Sequence, residues 1–305
     1  MISQFRQALP HGIRLSCRAA GERGRPVLMF LHGFPEAAFI WDPVLEYFAD
    51  PAHGGYRCIA PNLRGFEQSD APADPAAYRA KHLVQDIVAL IAIETGGRGA
   101  LECLVAHDWG GAIAWNLANQ QPQLARRLAI INSPHPGTFV RELKTNPRQQ
   151  AASAYVNFLI RPDAEALLAA DDYRRLWSFL TNTSSGAALP DWLTPAVQDQ
   201  YRAVWDAGLT GGCNLYRASP LRPATATNPG ANAIDLPRAM LTVDLPTLLI
   251  WALDDVALLP ELVLGLQDYV PRLTLHEVPG ASHWIIHEQP ELVMRLLGSF
   301  LQAMN

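Results

Sequence analysis

Apolar runs of six or seven residues recur along this chain, each bounded by Gly, Pro or Asp. They read PVLMFL (26–31), YRCIAP (56–61), LECLVA (101–106), RLAIIN (127–132), PTLLIWA (246–252) and LTLHEV (273–278). Runs this short fit strands buried on both faces. Helical patterns lie between them. KHLVQDIVALIAIE (81–94) sets Leu83, Ile87, Leu90 and Ile91 on one face, and GAIAWNLANQQ (111–121) starts at a glycine pair. PELVMRLLGSFLQAM (290–304) opens on a proline suited to a first turn. Strands alternating with helices predict the α/β class, with a mostly parallel central sheet and flanking helices. GIRLSCRAA (12–20) alternates apolar and polar residues and predicts an antiparallel strand ahead of the series.

One region breaks the alternation. Residues 137–237 hold no buried-strand pattern and read as helices: RQQAASAYVNFLI, AEALLAA, YRRLWSFLT and PAVQDQYRAVWDAG. SPLRPATATNPGANAIDLP, at the end of this region, reads as a loop. The strand series resumes at Leu245. The expected organisation is a core of residues 1–136 and 238–305, with a helical lid of residues 137–237 inserted into it.

Composition narrows the partners. A chain of 305 residues, 49% hydrophobic and 17% charged, has the makings of a globular protein with a large core. Its net charge of -5 and lack of a long basic run give a nucleic-acid backbone nothing to pair with. Cys17, Cys58, Cys103 and Cys213 form no CxxC pair, so no zinc knuckle or redox motif is expected. The first residues lack the apolar stretch of a secretory signal, and no segment approaches the roughly 20 apolar residues of a membrane helix. A cytoplasmic setting without membrane attachment is the expectation.

The run LECLVA leads into His107-Asp108-Trp109-Gly110-Gly111. Strand, sharp turn, helix is the setting of a nucleophile elbow, whose commonest form is G-x-S-x-G. Here Ala106 and Gly110 keep the small positions, and Asp108 stands where the serine would be. A lone Asp after a strand commonly caps the next helix. Its partners point further. Asp254-Asp255 follows one later strand and His283 another, in the order nucleophile, acid, histidine. Active sites of open α/β sheets lie at such strand ends.

The chemistry follows from the residue type. An aspartate, with an ordinary pKa of about 3.9, is ionised at neutral pH without a base to activate it. Its attack on an ester carbonyl would give a reactive anhydride, whereas attack on saturated carbon gives a simple ester. Epoxides and alkyl halides are suitable electrophiles. Water activated by His283 would then hydrolyse the ester. Backbone N–H groups of Trp109 and of the His32-Gly33-Phe34 turn would hold the oxyanion.

Taken together, HGFPE (32–36), RGFEQSD (64–70), HDWGG (107–111), NSPHP (132–136), NLYR (214–217), WALDDVAL (251–258) and GASHW (280–284) resemble the α/β-hydrolase superfamily, most closely its epoxide hydrolases. The resemblance covers nearly the whole chain. It implies conversion of an epoxide to a vicinal diol through an ester on Asp108. It selects Asp255 over Asp254 as partner of His283, and implies that Tyr155 and Tyr216 donate to the epoxide oxygen. No cofactor or metal is implied. Phe34, Trp109, Phe158 and Trp284 are expected to line an apolar pocket for a small hydrophobic epoxide and water, and a homodimer is left open.

Haloalkane dehalogenases share the core motifs and form the first alternative. They usually carry Asn just after the His-Gly pair, where this chain has Phe34; Trp177, Trp192 and Trp205 leave a lid donor open. Fluoroacetate dehalogenases carry arginines after the nucleophile, a pattern that Trp109 and Ala112 break. A catalytically idle ligand-binding member of the fold is the remaining alternative. His32 and His107 are expected to be structural, His287 at the surface or behind the site, and His135 at the lid entrance. Two residues depart from the family pattern. Asn62 replaces the usual Asp and Glu67 the usual Gly, which leaves the geometry of loop 62–70 open.

Overall fold

The computed structural model describes residues 1–97, 99–181 and 189–303. Eight strands form one sheet: β1 (Ser3–Ala8), β2 (Arg14–Ala20), β3 (Val27–Leu31), β4 (Arg57–Pro61), β5 (Cys103–His107), β6 (Leu128–Ile131), β7 (Thr247–Ala252) and β8 (Leu273–Val278). Their order is β1-β2-β4-β3-β5-β6-β7-β8. β1 and β2 run antiparallel to their neighbours and the other pairs are parallel. The expected series is therefore present. The helices are α1 (Asp42–Ala49), α2 (Ala80–Glu94), α3 (Trp109–Gln120), α4 (Pro136–Thr145), α5 (Pro147–Ala152), α6 (Tyr155–Leu159), α7 (Ala164–Thr181), α8 (Pro195–Asp206), α9 (Thr210–Ala218), α10 (Ile285–Glu288) and α11 (Pro290–Gln302). The pattern ending at residue 304 extends past the described residues, as residues 182–188 of the expected lid do.

Period-two alternation places side chains of one strand on opposite faces. Met29 and Leu31 join the core with Leu104, Ile113 and Trp115. Leu28 and Phe30 join the other face with Trp41, Phe48 and Leu297. β3 to β7 are buried on both faces, as their apolar runs predict. β8 is not: it is an edge strand, and Thr274, His276 and Glu277 are exposed. Polar residues at those positions are what an edge open to water allows. β1, mostly exposed, lacks an apolar run because it too is an edge.

Between β6 and β7 the described residues contain helices and no strand of the sheet. RQQAASAYVNFLI, read as one helix, forms α5 and α6 with a break at Ser153-Ala154. The buried Gln149 side chain donates to Ser153 Oγ (2.9 Å) and to Ala257 O (2.8 Å), tying this break to the loop after β7. Inside α7, residues 171–173 adopt left-handed angles, which separates AEALLAA from YRRLWSFLT as the sequence suggests. α9 seats directly on the core. A Cβ on Gly211 would lie 2.3 Å from the Gly65 backbone, so only glycine permits this approach.

Chain direction creates the crevice. The chain passes from β3 to β4 on one side, then returns to β5 on the other. Loops after β3 and β5 thus diverge at their carboxyl ends, where open α/β sheets hold their ligands.

The two departures in loop 62–70 are partners. Glu67 adopts φ 50°, the left-handed region that the usual Gly would serve. Its carboxylate accepts from Ser16 Oγ (2.9 Å) and from the Asn62 amide. Asn62 also donates to Ser16 Oγ (2.8 Å) and accepts from Ala38 N (2.7 Å). Restoring Asp at 62 would bring a second carboxylate against Glu67. We expect Asn62→Asp to lower unfolding stability by about 2–4 kcal/mol, through buried like-charge contact and a lost donor. Asn62→Asp/Glu67→Gln should recover most of it, because Gln donates to Asp. Urea unfolding of the variants checks this; equal losses in both would contradict the pairing.

Among the described residues no helix is long and apolar enough to cross a membrane. The four cysteines are buried and unpaired.

Candidate active site

Asp108 stands between β5 and α3 with φ 48° and ψ -121°. Such angles are strained for a residue with a Cβ, and strain of this kind concentrates at functional sites. Ser133 Oγ donates to its backbone oxygen (2.6 Å), as does Ala112 N (3.1 Å). The turn aims the carboxylate back at the loop after β3. Phe34 N donates to Oδ1 at 2.8 Å, which leaves Oδ2 toward His283. Gly33 makes the approach possible: a Cβ there would lie 2.1 Å from Oδ1. Phe34 thus supplies one of the two expected backbone donors. Trp109 follows Asp108 as the first residue of α3.

His283 and Asp255 come from loops after β8 and β7. Nδ1 of His283 donates to Asp255 Oδ2 at 2.6 Å, and Nε2 lies 3.7 Å from Asp108 Oδ2. Asp255 is buried and fully bonded. Oδ2 also accepts from Asn132 Nδ2 (2.9 Å), and Oδ1 from the N–H groups of Ala257 (2.8 Å) and Leu258 (3.0 Å). Burial opposes its charge, but His283 and these donors outweigh it and hold its carboxyl below the usual range. Burial likewise opposes a charged His283. Asp255 outweighs that, with smaller contributions from Asp108 and Glu36, and raises its pKa to about 9. Asp254 is exposed on the turn.

Tyr155 opens α6 and Tyr216 lies in α9, and both face Asp108. Their rings meet edge to face, with centres 6.1 Å apart. Burial first pushes both phenols up; Asp108 and Asp255 add to it at Tyr155, and Tyr155 and Asp108 add to it at Tyr216, so both remain protonated donors. Phe34 and Trp109 pack edge-on against the Tyr216 ring at 5.5 and 5.0 Å.

Three tryptophan N–H groups near the site are committed elsewhere. Trp177 donates to Asp172 O (2.9 Å), Trp205 to Pro35 O (2.8 Å) and Trp284 to Phe179 O (3.1 Å). Trp192 Nε1 has no partner, but its ring is stacked on His287 and outside the cavity.

A cavity of about 340 Å³ opens above Asp108, between His283, Tyr155, Tyr216, Phe34 and Trp284. Phe158 is not part of it. That ring lies under the Arg175 guanidinium, 5.4 Å from its centre, because α6 presents Tyr155 to the cavity and turns Phe158 toward α7. Trp109 sits beside the cavity, on the far side of Tyr216. Among the described residues, no three His, Cys, Asp or Glu side chains are grouped as metal ligands.

The other histidines are structural. His32 accepts from Leu63 N (3.0 Å) and donates to Gly33 O (2.8 Å). His107 donates to the His283 carbonyl (3.0 Å). His135 is buried, not at an entrance: it caps α4 through Gly137 N and donates to Leu241 O (2.8 Å). His287 is half-buried behind the site, where its Nε2 donates to Glu36.

Sequence reasoning missed two residues. Asn132, at φ 39°, spans from Asp255 to Ala252 N (2.9 Å) and so orients the acid. Glu36, almost wholly buried, accepts from Tyr201 (2.7 Å) and His287 (2.8 Å). His107 Nδ1 lies 3.2 Å from its other oxygen without hydrogen-bond alignment. Burial opposes the Glu36 charge, yet His107 and His287 hold its carboxyl below the usual range. The polar residues of HGFPE and NSPHP were signals for both.

Comparisons place this geometry among known proteins. A family model described as alpha/beta hydrolase fold matches residues 26–290. The AB hydrolase superfamily protein YfhM of Bacillus subtilis is 33% identical over 296 residues, covering 96% of each chain. Epoxide hydrolase 4 of Mus musculus is 32% identical over 299 residues, covering 95% of this chain and 77% of that protein. A solved structure from work on novel epoxide hydrolases of hot-environment metagenomes is 37% identical, with a TM-score of 0.85 and 99% of each chain covered. A Bacillus megaterium epoxide hydrolase solved with an inhibitor is 28% identical, with a TM-score of 0.86, covering 97% of this chain and 99% of that one.

Proposed function

Because this chain belongs to the alpha/beta hydrolase fold family, we propose that it hydrolyses epoxides to vicinal diols through an ester on Asp108. One observation carries the reading: two protonated phenols face a carboxylate that has one oxygen left for attack. Relatives named epoxide hydrolases support it.

Oδ2 of Asp108 attacks one epoxide carbon while the ring C–O bond breaks. The electron pair passes to the epoxide oxygen, which takes a proton from the Tyr155–Tyr216 pair. His283 then removes a proton from water, and the oxygen of that water attacks Cγ. The developing oxyanion is Oδ1, already bonded to Phe34 N. Collapse expels Oδ2 with the diol, which takes the proton from His283. The remaining water proton, released as the new carboxyl ionises, restores the phenol. The helices α4–α9 act as the lid that holds the tyrosines over the site.

Halide release needs N–H donors around the leaving anion; those of Trp177, Trp205 and Trp284 are occupied, and Trp109 packs edge-on against Tyr216 outside the main cavity. Assaying styrene oxide beside 1-bromohexane tests the reading. Diol without bromide is expected. Bromide without diol would overturn it, and turnover of neither across a broad panel would favour an idle binding protein.

A pH dependence follows. With its pKa near 9, His283 rests charged at neutral pH and must lose that proton to act as base. Esterification removes the Asp108 charge, one of the influences that raise this pKa. Ester hydrolysis in single turnovers should therefore rise with pH and level off at an apparent pKa below about 9. A rate that falls as pH rises through 6 to 9 would contradict this role.

A further inference from the structure

A second cavity shares Asp108, Tyr155 and Tyr216 with the first and lies on their other side. It measures about 90 Å³, against about 340 Å³ for the main one. A cavity of roughly 150 Å³ holds one benzene ring. The main chamber therefore takes an aryl group and the small one does not. Its walls include Trp109, Phe139, Val156, Leu221 and Leu258.

One end is polar. Ala112 and Asn116 are four residues apart on α3, the helix that follows the Asp108 turn, so they share one stripe, and both line the small chamber. Asn116 Nδ2 donates to Ala112 O at 2.8 Å. That bond fixes the amide and leaves Oδ1 with no hydrogen-bond partner among the described residues. Oδ1 is an acceptor only, so its complement is a donor such as a hydroxyl.

Resting on the epoxide reading, we infer that the small chamber selects epoxides whose second arm is a short chain ending in a hydroxyl, with Asn116 as the specificity-determining residue. Volume sets the arm length: the three heavy atoms of a hydroxyethyl group fit a chamber of about 90 Å³, which is too small for a ring.

The test uses the full chain and epoxides with phenyl on one carbon. The other carbon carries hydrogen, propyl, 2-hydroxyethyl or a second phenyl. Propyl and hydroxyethyl match in size and differ in the donor. We expect wild-type kcat/KM to favour hydroxyethyl over propyl by about tenfold, the worth of one hydrogen bond. The diphenyl epoxide should be at least about a hundredfold poorer than propyl, since a second ring lacks space. Asn116→Leu should bring the hydroxyethyl-to-propyl ratio to one or below. Ala112→Val, which narrows the chamber, should depress both two-armed substrates relative to the one-armed epoxide. A wild-type ratio of one, a ratio unchanged in Asn116→Leu, or rapid turnover of the diphenyl epoxide would overturn the inference. Each of these outcomes still yields diol. Failure to form diol from any of the four would instead overturn the epoxide reading.

Discussion

His283→Gln is expected to consume one equivalent of an aryl epoxide and then stall. Attack by Asp108 Oδ2 needs no base, so the ester still forms. Its hydrolysis needs a proton acceptor beside the ester, and glutamine is none. Steady-state turnover should fall by roughly 10³–10⁴, in the range for loss of a positioned base. The protein should gain the mass of the intact epoxide, and the adduct should map to the peptide containing Asp108. The fold should survive. Asp255 loses the 2.6 Å bond to His283 but keeps the donors Asn132, Ala257 and Leu258. The unpaired buried carboxylate costs about 3 kcal/mol, which unfolding would register separately. Turnover near wild type without adduct would remove His283 from the hydrolytic step.

The second large effect belongs to the phenols. Tyr155→Phe and Tyr216→Phe should each slow ester formation by about 10–100-fold, because the remaining hydroxyl still reaches the oxygen. Together they should slow it by about 10⁴-fold or more, as each pre-set donor to a developing oxyanion is worth roughly 10²–10³. Hydrolysis of an ester already formed should be little affected. Rapid-quench trapping of the alkyl-enzyme separates the steps. A double variant within tenfold of wild type would show that the phenols are not the acid.

Local pattern explains what the sequence reveals and what it hides. β3 to β7 are legible because strands buried on both faces must be apolar throughout. β1 escaped notice and β8 was misread as fully buried, because an edge strand escapes that constraint. The break between α5 and α6 rests on Gln149 reaching a loop more than a hundred residues away, which no helical period encodes. Phe158 illustrates the same limit: spacing puts it on a short helix with Tyr155, but only packing against Arg175 turns it from the cavity.

The site divides similarly. Asp108 and His283 follow from their places at strand ends. Asp255 over Asp254 needed a resemblance, since adjacent residues on a turn give no periodic cue. The structure supplies the physical reason: Asp255 is buried and bonded to His283, whereas Asp254 is exposed. Asn132 and Glu36 act through other residues, so their type alone carried no chemistry. Asn62 and Glu67 read separately as two irregularities and become intelligible as one hydrogen-bonded pair.

The central claim is that an oxygen of Asp108, not water, opens the ring. A single turnover of styrene oxide by excess enzyme in 18O-water tests it most directly. If Oδ2 attacks, the diol is unlabelled and the 18O lies in the peptide containing Asp108. A diol carrying one 18O, with an unlabelled peptide, would mean direct attack by water and would contradict the ester mechanism.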